Sequence, residues 1–253
     1  MEKLALSVIM PALNEEVNIE AAIGDTLQAM DDCRIDGEII VVNDGSTDRT
    51  DELVAQAMKE DSRIARIRHN SPMGIGRSFW DGVDRAKGEA VIMLPGDNEN
   101  YPREIFRYFD LLQHVDIVIP FLYNREVRPL FRNILSFIYR FIINTTFFVN
   151  INYTNGTVLY RKGILLELNS RNTGFFFQTD ILIRSVKEGY LFAEVPYKVR
   201  TRDGGKSRAV TFPSFIQVIK GYFRLVKNVY RNGNSKLGDH ASGTMTKNRR
   251  NSS

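Results

Sequence analysis

Short apolar runs rich in Ile and Val alternate along the first half of the chain with longer amphipathic segments of helix length. Five of these runs have the length of a strand, at residues 7–12, 38–44, 64–69, 89–94 and 116–120. Strands that alternate with helices in this way are typical of a parallel sheet with helices on its faces. The pattern therefore predicts an α/β fold.

Turn and capping residues separate the predicted strands from the predicted helices. We expect Asn14-Glu15-Glu16 to open the first helix, Ser46-Thr47-Asp48 to cap the second, and Gly74-Ile75-Gly76 to precede the third. Ligands of open parallel sheets bind beyond the carboxyl ends of the strands. The candidate functional residues are therefore those that directly follow each apolar run.

Two carboxylates follow the fourth run. Asp97 and Glu99 lie at positions i and i+2, which is close enough for them to share one ion. Hard divalent cations prefer oxygen ligands and commonly take only a few from protein, with phosphate and water supplying the rest. The pair is thus a candidate metal site, although a plain acidic turn has the same sequence.

A third carboxylate, Asp44, ends the second run. Asp44 could accept hydrogen bonds from a base or ribose, and Gly45 lets a ligand approach the backbone closely. The alternative is that Asp44 caps the following helix, a task that Ser46, Thr47 or Asp48 could perform without it.

Composition and charge narrow the class of protein. The 253 residues suit one compact domain or one and a half, and the single Cys33 excludes an internal disulfide framework. Residues 212–253 hold eight Lys or Arg and one acid, so the remainder of the chain is close to −3 within a net charge of +4. The body is not expected to bind nucleic acid, whereas the C-terminal end could meet an anionic membrane. No signal peptide is recognised at the start, so we expect a cytoplasmic protein.

Several segments, in order along residues 4–230, resemble family-2 glycosyltransferases of GT-A fold, in the branch of dolichol-phosphate mannose synthase and bacterial polyprenyl-phosphate sugar transferases. The segments that carry the resemblance are Pro11–Glu16, Val41–Asp48, the glycine-bearing stretch 70–88, Asn155–Arg161, Glu194–Pro196 and Arg202–Ser207. The resemblance implies a mixed, mainly parallel GT-A sheet flanked by helices, with amphipathic helices at the C-terminal end. It also implies an inverting transfer of a sugar from a GDP- or UDP-sugar.

The resemblance further assigns roles at the strand ends. It implies Mg²⁺ or Mn²⁺ at Asp97 and Glu99, with Asp97 catalytic, and a nucleotide-sugar site formed by Pro11, Leu13, Asn14, Glu15, Asn43, Asp44, Gly74 and Asp97. The chain departs from the family pattern at three positions: Pro95 stands where the metal motif has its first Asp, Glu99 where it often has Gln, and Asn43 where it has the first of two Asp. These changes leave open the hypothesis that the protein has lost catalysis and acts as a membrane-associated binding partner.

The acceptor has two candidate identities. A polyprenyl phosphate already carries a nucleophilic oxygen, and by resemblance its phosphate and the donor diphosphate would be bound by Arg125, Arg132, Arg202, Lys206 and Ser207. Leu122 occupies a position where many relatives have arginine. A glycan hydroxyl would instead require a base, and the candidate is Asp180. Asp180 could equally be an acid in the first turn of a helix over residues 178–188.

Two apolar segments bear on membrane contact and on domain boundaries. Residues 131–149 and 212–230 are predicted amphipathic helices that either pack on the catalytic domain or lie at a membrane surface. We expect a catalytic domain over residues 1–211, with a nucleotide-sugar half to about 120 and an acceptor half from about 121. The basic helix 212–230 and a disordered tail 231–253 follow. The expected location is peripheral, at the cytoplasmic face of a membrane, and the sequence leaves the oligomeric state open.

Overall fold

The computed structural model describes residues 4–124, 130–154, 156–168, 170–199 and 212–231. Its strands are β1 (Leu6–Ala12), β2 (Gly37–Asn43), β3 (Ile64–Arg68), β4 (Ala90–Met93), β5 (Ile117–Leu122), β6 (Leu159–Arg161) and β7 (Phe192–Tyr197). Its helices are α1 (Ile19–Cys33), α2 (Thr50–Glu60), α3 (Ile75–Arg85), α4 (Pro102–Phe106), α5 (Leu130–Phe147), α6 (Lys162–Glu167), α7 (Phe177–Lys187) and α8 (Phe212–Arg231). A 3₁₀ helix covers Phe109–Gln113.

The strands form one seven-stranded sheet in the order β3-β2-β1-β4-β6-β5-β7. All neighbouring pairs are parallel except those of β6, which runs antiparallel to both β4 and β5. The five predicted strands are confirmed to within about two residues at each end. The mixed, mainly parallel sheet expected from the resemblance is confirmed as well.

Two apolar cores lie on the two faces of the sheet because successive strand residues point in opposite directions. Along β1, Ile9 faces the core that contains Trp80 of α3 and Phe177 of α7. Its neighbours Val8 and Met10 face the core formed with α1, α2 and α4. Residues of the inner strands β1, β2 and β4 are buried on both sides, which explains why these strands appear as nearly continuous apolar runs rather than alternating ones.

The first helix begins later than predicted. The expectation that Asn14-Glu15-Glu16 open it is wrong, since α1 starts at Ile19. Asn14 instead adopts a left-handed conformation with φ of 56°, which Asn tolerates better than most residues. The N-cap residue of α2 is Arg49, which makes no side-chain cap bond, so Ser46-Thr47-Asp48 lie just before the cap. Asp48 still accepts hydrogen bonds from the amide and hydroxyl of Thr50. Helix α3 follows directly after Gly74, as predicted.

The two amphipathic helices predicted for residues 131–149 and 212–230 are present as α5 and α8. Among the described residues, no helix combines the length and the apolar character needed to cross a membrane. From residue 232 onward the predicted tail lies outside the described residues. The division of the chain into domains at residues 211 and 230 stays a prediction.

Candidate active site

The loops after β1, β2 and β4 meet at one edge of the sheet and are fastened to each other through the backbone. Gly96 donates its amide to the carbonyl of Pro11 at 3.0 Å, and Asp44 donates its amide to Ala12 at 2.9 Å. A Cβ on Gly96 would lie 2.8 Å from Cδ1 of Ile19 in α1 and 3.3 Å from Cβ of Ala12 in β1, so glycine lets this loop approach both elements closely. The three segments singled out from the sequence therefore lie side by side.

The loops after β1 and β2 form a single wall in which Asn14 is the link. Its amide donates to Oγ of Ser46 at 3.0 Å, and its side-chain Oδ1 accepts from the amide of Thr47 at 2.8 Å. Next to it, the amide of Glu15 donates to Oγ1 of Thr50 at 2.8 Å. Asn14 and Glu15, predicted as nucleotide-sugar contacts, thus also fix the relative position of the two loops. Leu13 lies half-buried beside them.

Asn43 is 1% exposed, and both ends of its amide are used within the loop. Its Nδ2 donates to Oδ1 of Asp51 at 2.8 Å, and its Oδ1 accepts from the amide of Ser46 at 3.0 Å. An aspartate at this position would set two carboxylates against each other, because an ionised carboxylate cannot donate. Asp51 therefore gives a physical reason for asparagine where the family pattern has aspartate.

Asp44 is 5% exposed and organises the loop that precedes α3. Its Oδ1 accepts from Nδ1 of His69 at 2.7 Å and from the amide of Met73 at 2.8 Å. Its Oδ2 accepts from the amide of Gly74 at 2.8 Å. These bonds hold Gly74, another predicted contact, in a fixed place, where its φ of 94° suits glycine. Asp44 is thus more than a helix cap, because it joins the ends of β2 and β3 to the start of α3.

His69 is a functional candidate that sequence reasoning missed. Its ring is buried, with Nδ1 on Asp44 and Nε2 3.0 Å from Oδ2 of Asp81. Both ring nitrogens face carboxylate oxygens, and both can donate only when the imidazole is doubly protonated. Arg77 donates to the same oxygen of Asp81 at 2.8 Å, so polar contacts run from Asp44 through His69 and Asp81 to the surface. The available signal was the position of His69 at the end of the third apolar run, because the other candidate residues also lie at the ends of such runs.

The loop after β4 carries the two candidate metal ligands. Asn98 adopts a left-handed conformation with φ of 54°, and the amide of Glu99 donates to Oδ1 of Asp97 at 3.2 Å. Asp97 and Glu99 are half-buried, as is Pro95 before them. Among the described residues there is no group of three or more acids, His or Cys that could hold a metal ion. Two carboxylates still fit a cation whose shell is completed by diphosphate and water.

The side chains of all five predicted acceptor residues lie outside the described part of the structure, namely those of Arg125, Arg132, Arg202, Lys206 and Ser207. The residues from which their segments depart are described. Asn124 donates its Nδ2 to the carbonyl of Val199 at 3.0 Å and accepts from the Val199 amide at 3.2 Å. Val199 also pairs with Asn100, directly after the metal-ligand loop. Both arginine-bearing segments therefore start next to the candidate metal ligands.

Leu122 and Asp180 lie in the interior. Leu122, which stands where many relatives have arginine, is 4% exposed in the apolar core on the α1 side of the sheet. Asp180 is buried in the first turn of α7, and its Oδ2 accepts from Arg184 at 3.4 Å. Burial raises the pKa of the Asp180 carboxyl, against the lowering effect of Arg184 and Arg224. A raised pKa suits a general base, but the ion pair with Arg184 suits a structural acid equally well.

The sequence matches the glycosyl transferase family 2 over residues 7–168, which is more than half of the chain. Curated relatives include two undecaprenyl-phosphate 4-deoxy-4-formamido-L-arabinose transferases. The protein from Aeromonas hydrophila is 32% identical over 123 residues, covering 48% of this chain and 38% of the relative. The protein from Edwardsiella ictaluri is 28% identical over 208 residues, covering 80% of this chain and 62% of the relative. The chain thus spans less than two thirds of the length of these relatives.

Solved structures with a similar fold include glucosyl-3-phosphoglycerate synthase from Mycobacterium tuberculosis. Its complex with Mn²⁺, uridine diphosphate and phosphoglyceric acid superposes with a TM-score of 0.63 at 20% identity, covering 88% of this chain and 78% of that one. Its complex with Mg²⁺ and uridine diphosphate gives a TM-score of 0.64 at 21% identity, covering 88% and 79%. At this identity the likeness concerns the fold. The chain belongs to glycosyl transferase family 2 and has the GT-A fold.

Proposed function

We propose that this protein is an inverting glycosyltransferase that moves a sugar from a GDP- or UDP-sugar to a polyprenyl phosphate. The observation that carries the proposal is the meeting of two sets of residues at one sheet edge. The donor wall, defined as the linked loops 13–18 and 43–50 with loop 71–74, adjoins the carboxylates Asp97 and Glu99 through the Gly96–Pro11 contact. The segments that carry Arg125 and Arg202 begin beside the same carboxylates.

The donor side is assigned to residues that are already held in place. Asp44, Asn14 and Gly74 would border the nucleoside, with Asp44 retaining its bonds to loop 71–74. Asp97 and Glu99 are the residues that would hold a divalent cation, whose chemistry is to neutralise the charge developing on the leaving diphosphate. Uridine diphosphate with Mn²⁺ or Mg²⁺ in the structural neighbours supports a nucleotide-sugar site of this kind.

The acceptor side needs cations rather than a base. An oxygen of the lipid phosphate attacks the anomeric carbon of the sugar, and the bond from that carbon to the diphosphate oxygen breaks. One displacement inverts the configuration and releases the nucleoside diphosphate. Since the phosphate oxygen is anionic at neutral pH, no side chain has to remove a proton. Arg125, Arg132, Arg202, Lys206 and Ser207 are proposed to bind the phosphate groups.

The relatives support a lipid-phosphate acceptor, because they are undecaprenyl-phosphate 4-deoxy-4-formamido-L-arabinose transferases. A lipid acceptor would also place the protein peripherally at the cytoplasmic face of a membrane. We retain the division proposed from the sequence, with a catalytic domain to residue 211 and a basic helix after it.

The alternative acceptor, a glycan hydroxyl, would require a base, and the raised pKa of Asp180 is the observation that favours it. The further alternative, a partner protein without catalysis, was motivated by Pro95 and Asn43. The bond from Asn43 to Asp51 gives Asn43 a structural reason that does not involve loss of catalysis.

The test presents radiolabelled UDP- and GDP-sugars to the protein with and without polyprenyl phosphate. Label that becomes extractable into organic solvent only with the lipid supports the proposal, whereas label confined to glycan supports the hydroxyl acceptor. Asp97→Asn should lower the transfer rate by about a hundredfold or more, since it removes a ligand of the charge-neutralising ion. The matched control is Asp110→Asn, an exposed acid in the 3₁₀ helix, which should leave the rate unchanged. Full activity of Asp97→Asn would show that the metal site lies elsewhere.

A further inference from the structure

Helix α5 attaches itself to the chain that follows it through two polar side chains, while many of its apolar side chains are exposed. Asn144 donates Nδ2 to the carbonyl of Ile151 at 3.0 Å and accepts from the Ile151 amide at 3.3 Å. Arg140, one turn earlier, reaches the carbonyl of Asn152 at 3.5 Å. Arg140 and Asn144 therefore attach the helix to the loop that follows it.

The outward side of α5 is apolar. Phe131, Ile134, Phe137, Ile138, Phe141 and Ile142 are each between 44% and 71% exposed. At 3.6 residues per turn they cover an arc of about 140° around the helix. We call this surface the apolar face of α5. Monomeric soluble proteins rarely expose a contiguous apolar patch of this kind, and such patches mark interaction sites.

Helix α8 packs beside the C-terminal end of α5. The hydroxyl of Tyr222 lies 2.8 Å from Oγ1 of Thr146, and the ring of Tyr230 stacks on Phe147 with centroids 6.3 Å apart. Leu225 fixes α8 on the core, being fully buried. Ile219 and Phe223, on another side of α8, are 39% and 64% exposed.

Cations border the exposed apolar side chains of α8. Lys220, Arg224 and Lys227 are exposed and occupy the arc next to Ile219 and Phe223. Neither α5 nor α8 contains an acidic residue. An apolar face edged by Lys and Arg is complementary to a layer of anionic headgroups over acyl chains. A protein partner would instead need an apolar patch bordered by a row of acidic side chains.

We propose that α5 and α8 lie lengthwise in the headgroup layer of an anionic membrane, with the apolar face of α5 inserted and the α8 cations on lipid phosphates. The inference rests on the proposed function for one point only, the lipid nature of the acceptor. Leu130 follows Asn124 by six residues, a span of at most about 20 Å. Docking on α5 therefore keeps the Asn124–Val199 pair, from which the acceptor segments depart, within that distance of the membrane surface.

The test measures sedimentation of the full chain with vesicles of phosphatidylcholine alone and of phosphatidylcholine mixed with phosphatidylglycerol. We expect binding to the mixed vesicles and a fall in the partition coefficient of about tenfold or more for Phe131→Glu with Phe141→Glu, which abolishes insertion. The matched control is Leu166→Glu on α6, which changes an apolar residue of similar exposure away from both helices and should bind like the wild type.

The charge arm uses Lys220→Glu with Lys227→Glu. Since each cation near an anionic surface contributes, reversing two should weaken binding to mixed vesicles by about tenfold or more. The control Lys59→Glu, on α2, should have no such effect. Thermal unfolding of each variant verifies that the fold is retained.

Failure of the wild-type protein to sediment with either kind of vesicle would overturn the inference. So would a wild-type oligomer in solution that the Phe131→Glu and Phe141→Glu pair dissociates, which would assign the face to a second copy. Vesicle binding needs neither donor nor acceptor, so it is independent of transfer. Binding without transfer would contradict the proposed function alone. Transfer to a short-chain, water-soluble prenyl phosphate without vesicle binding would contradict the docking inference alone.

Discussion

Helices α3 and α5 both follow a strand end at the candidate site, yet they distribute their side chains in opposite ways. Helix α3 buries Phe79, Trp80 and Val83, whereas its Arg77 is exposed. Helix α5 buries Ile143 and Phe147 but exposes most of its large apolar residues. Helix α3 therefore buries most of its large apolar side chains within the protein. Helix α5 has a large apolar surface that the other described residues leave exposed.

The largest expected effect is a loss of stability on removal of a core side chain of the donor half. Trp80→Ala should lower the free energy of unfolding by about 3–5 kcal/mol, because removal of the buried ring leaves a cavity that its neighbours fill only in part. The indole also donates to the carbonyl of Asn172 at 2.9 Å, and that bond would be lost. Chemical denaturation followed by circular dichroism measures the change. A loss below about 1 kcal/mol would mean that the core on this side of the sheet repacks easily.

Next in size is the effect of His69→Gln on the donor wall. Asp44 would lose a charge-assisted hydrogen bond and loop 71–74 part of its support, so affinity for the nucleoside diphosphate should fall on the order of tenfold. Isothermal titration calorimetry measures this affinity. His114→Gln changes an exposed histidine and serves as the control. Unchanged affinity in His69→Gln would show that Met73 and Gly74 suffice to position Asp44.

A loss of comparable size, in stability rather than affinity, is expected for Asn43→Asp, which restores the residue of the family pattern. The new carboxylate would face Asp51 and should cost about 1–3 kcal/mol of stability at neutral pH, since a buried hydrogen bond becomes a like-charge contact. The loss should shrink in acid, where carboxylates are protonated. Denaturation at neutral and at acidic pH measures both. The double variant with Asp51→Asn should recover part of the stability, because it removes the like-charge contact but also the ion pair of Asp51 with Arg66 at 3.0 Å. No recovery relative to Asn43→Asp would assign the cost to other neighbours.

The smallest expected effect sharpens the contrast with Trp80. Phe141→Ser removes an aromatic ring that is 62% exposed, so the free energy of unfolding should change by less than about 0.5 kcal/mol. The same denaturation experiment measures it. A loss comparable to that of Trp80→Ala would show that the apolar face of α5 is covered within the protein itself.

The sequence was most informative where burial is two-sided. Strands β1, β2, β4 and β5 were predicted because a strand covered on both faces appears as an apolar run, whereas the edge strand β3 was predicted from Ile alternating with Arg. Strand β6, with three residues, is too short to produce such a run, and its antiparallel direction has no local signal. The extents of α5 and α8 were predicted from periodicity, but periodicity does not tell which side of a helix meets the protein. Leu225, fully buried, was accordingly not recognised as the residue that anchors α8.

The candidate site was predicted in part for a similar reason. The positions of Asp44, Asp97 and Glu99 follow from strand ends, which the apolar runs mark. His69 and Asp51 act through contacts between segments that are distant in sequence, and a single sequence gives no measure of such distances. The partnership of Asn124 with Val199 is of the same kind, as it joins residues 75 positions apart.

The link between Asn14, Ser46 and Thr47 has a thermodynamic consequence for the donor. Because hydrogen bonds within the chain already order these loops, folding has supplied the ordering that a ligand would otherwise have to impose. Donor binding should therefore carry little entropic penalty from these two loops, and its heat-capacity change should reflect mainly the surface that donor and protein bury against each other.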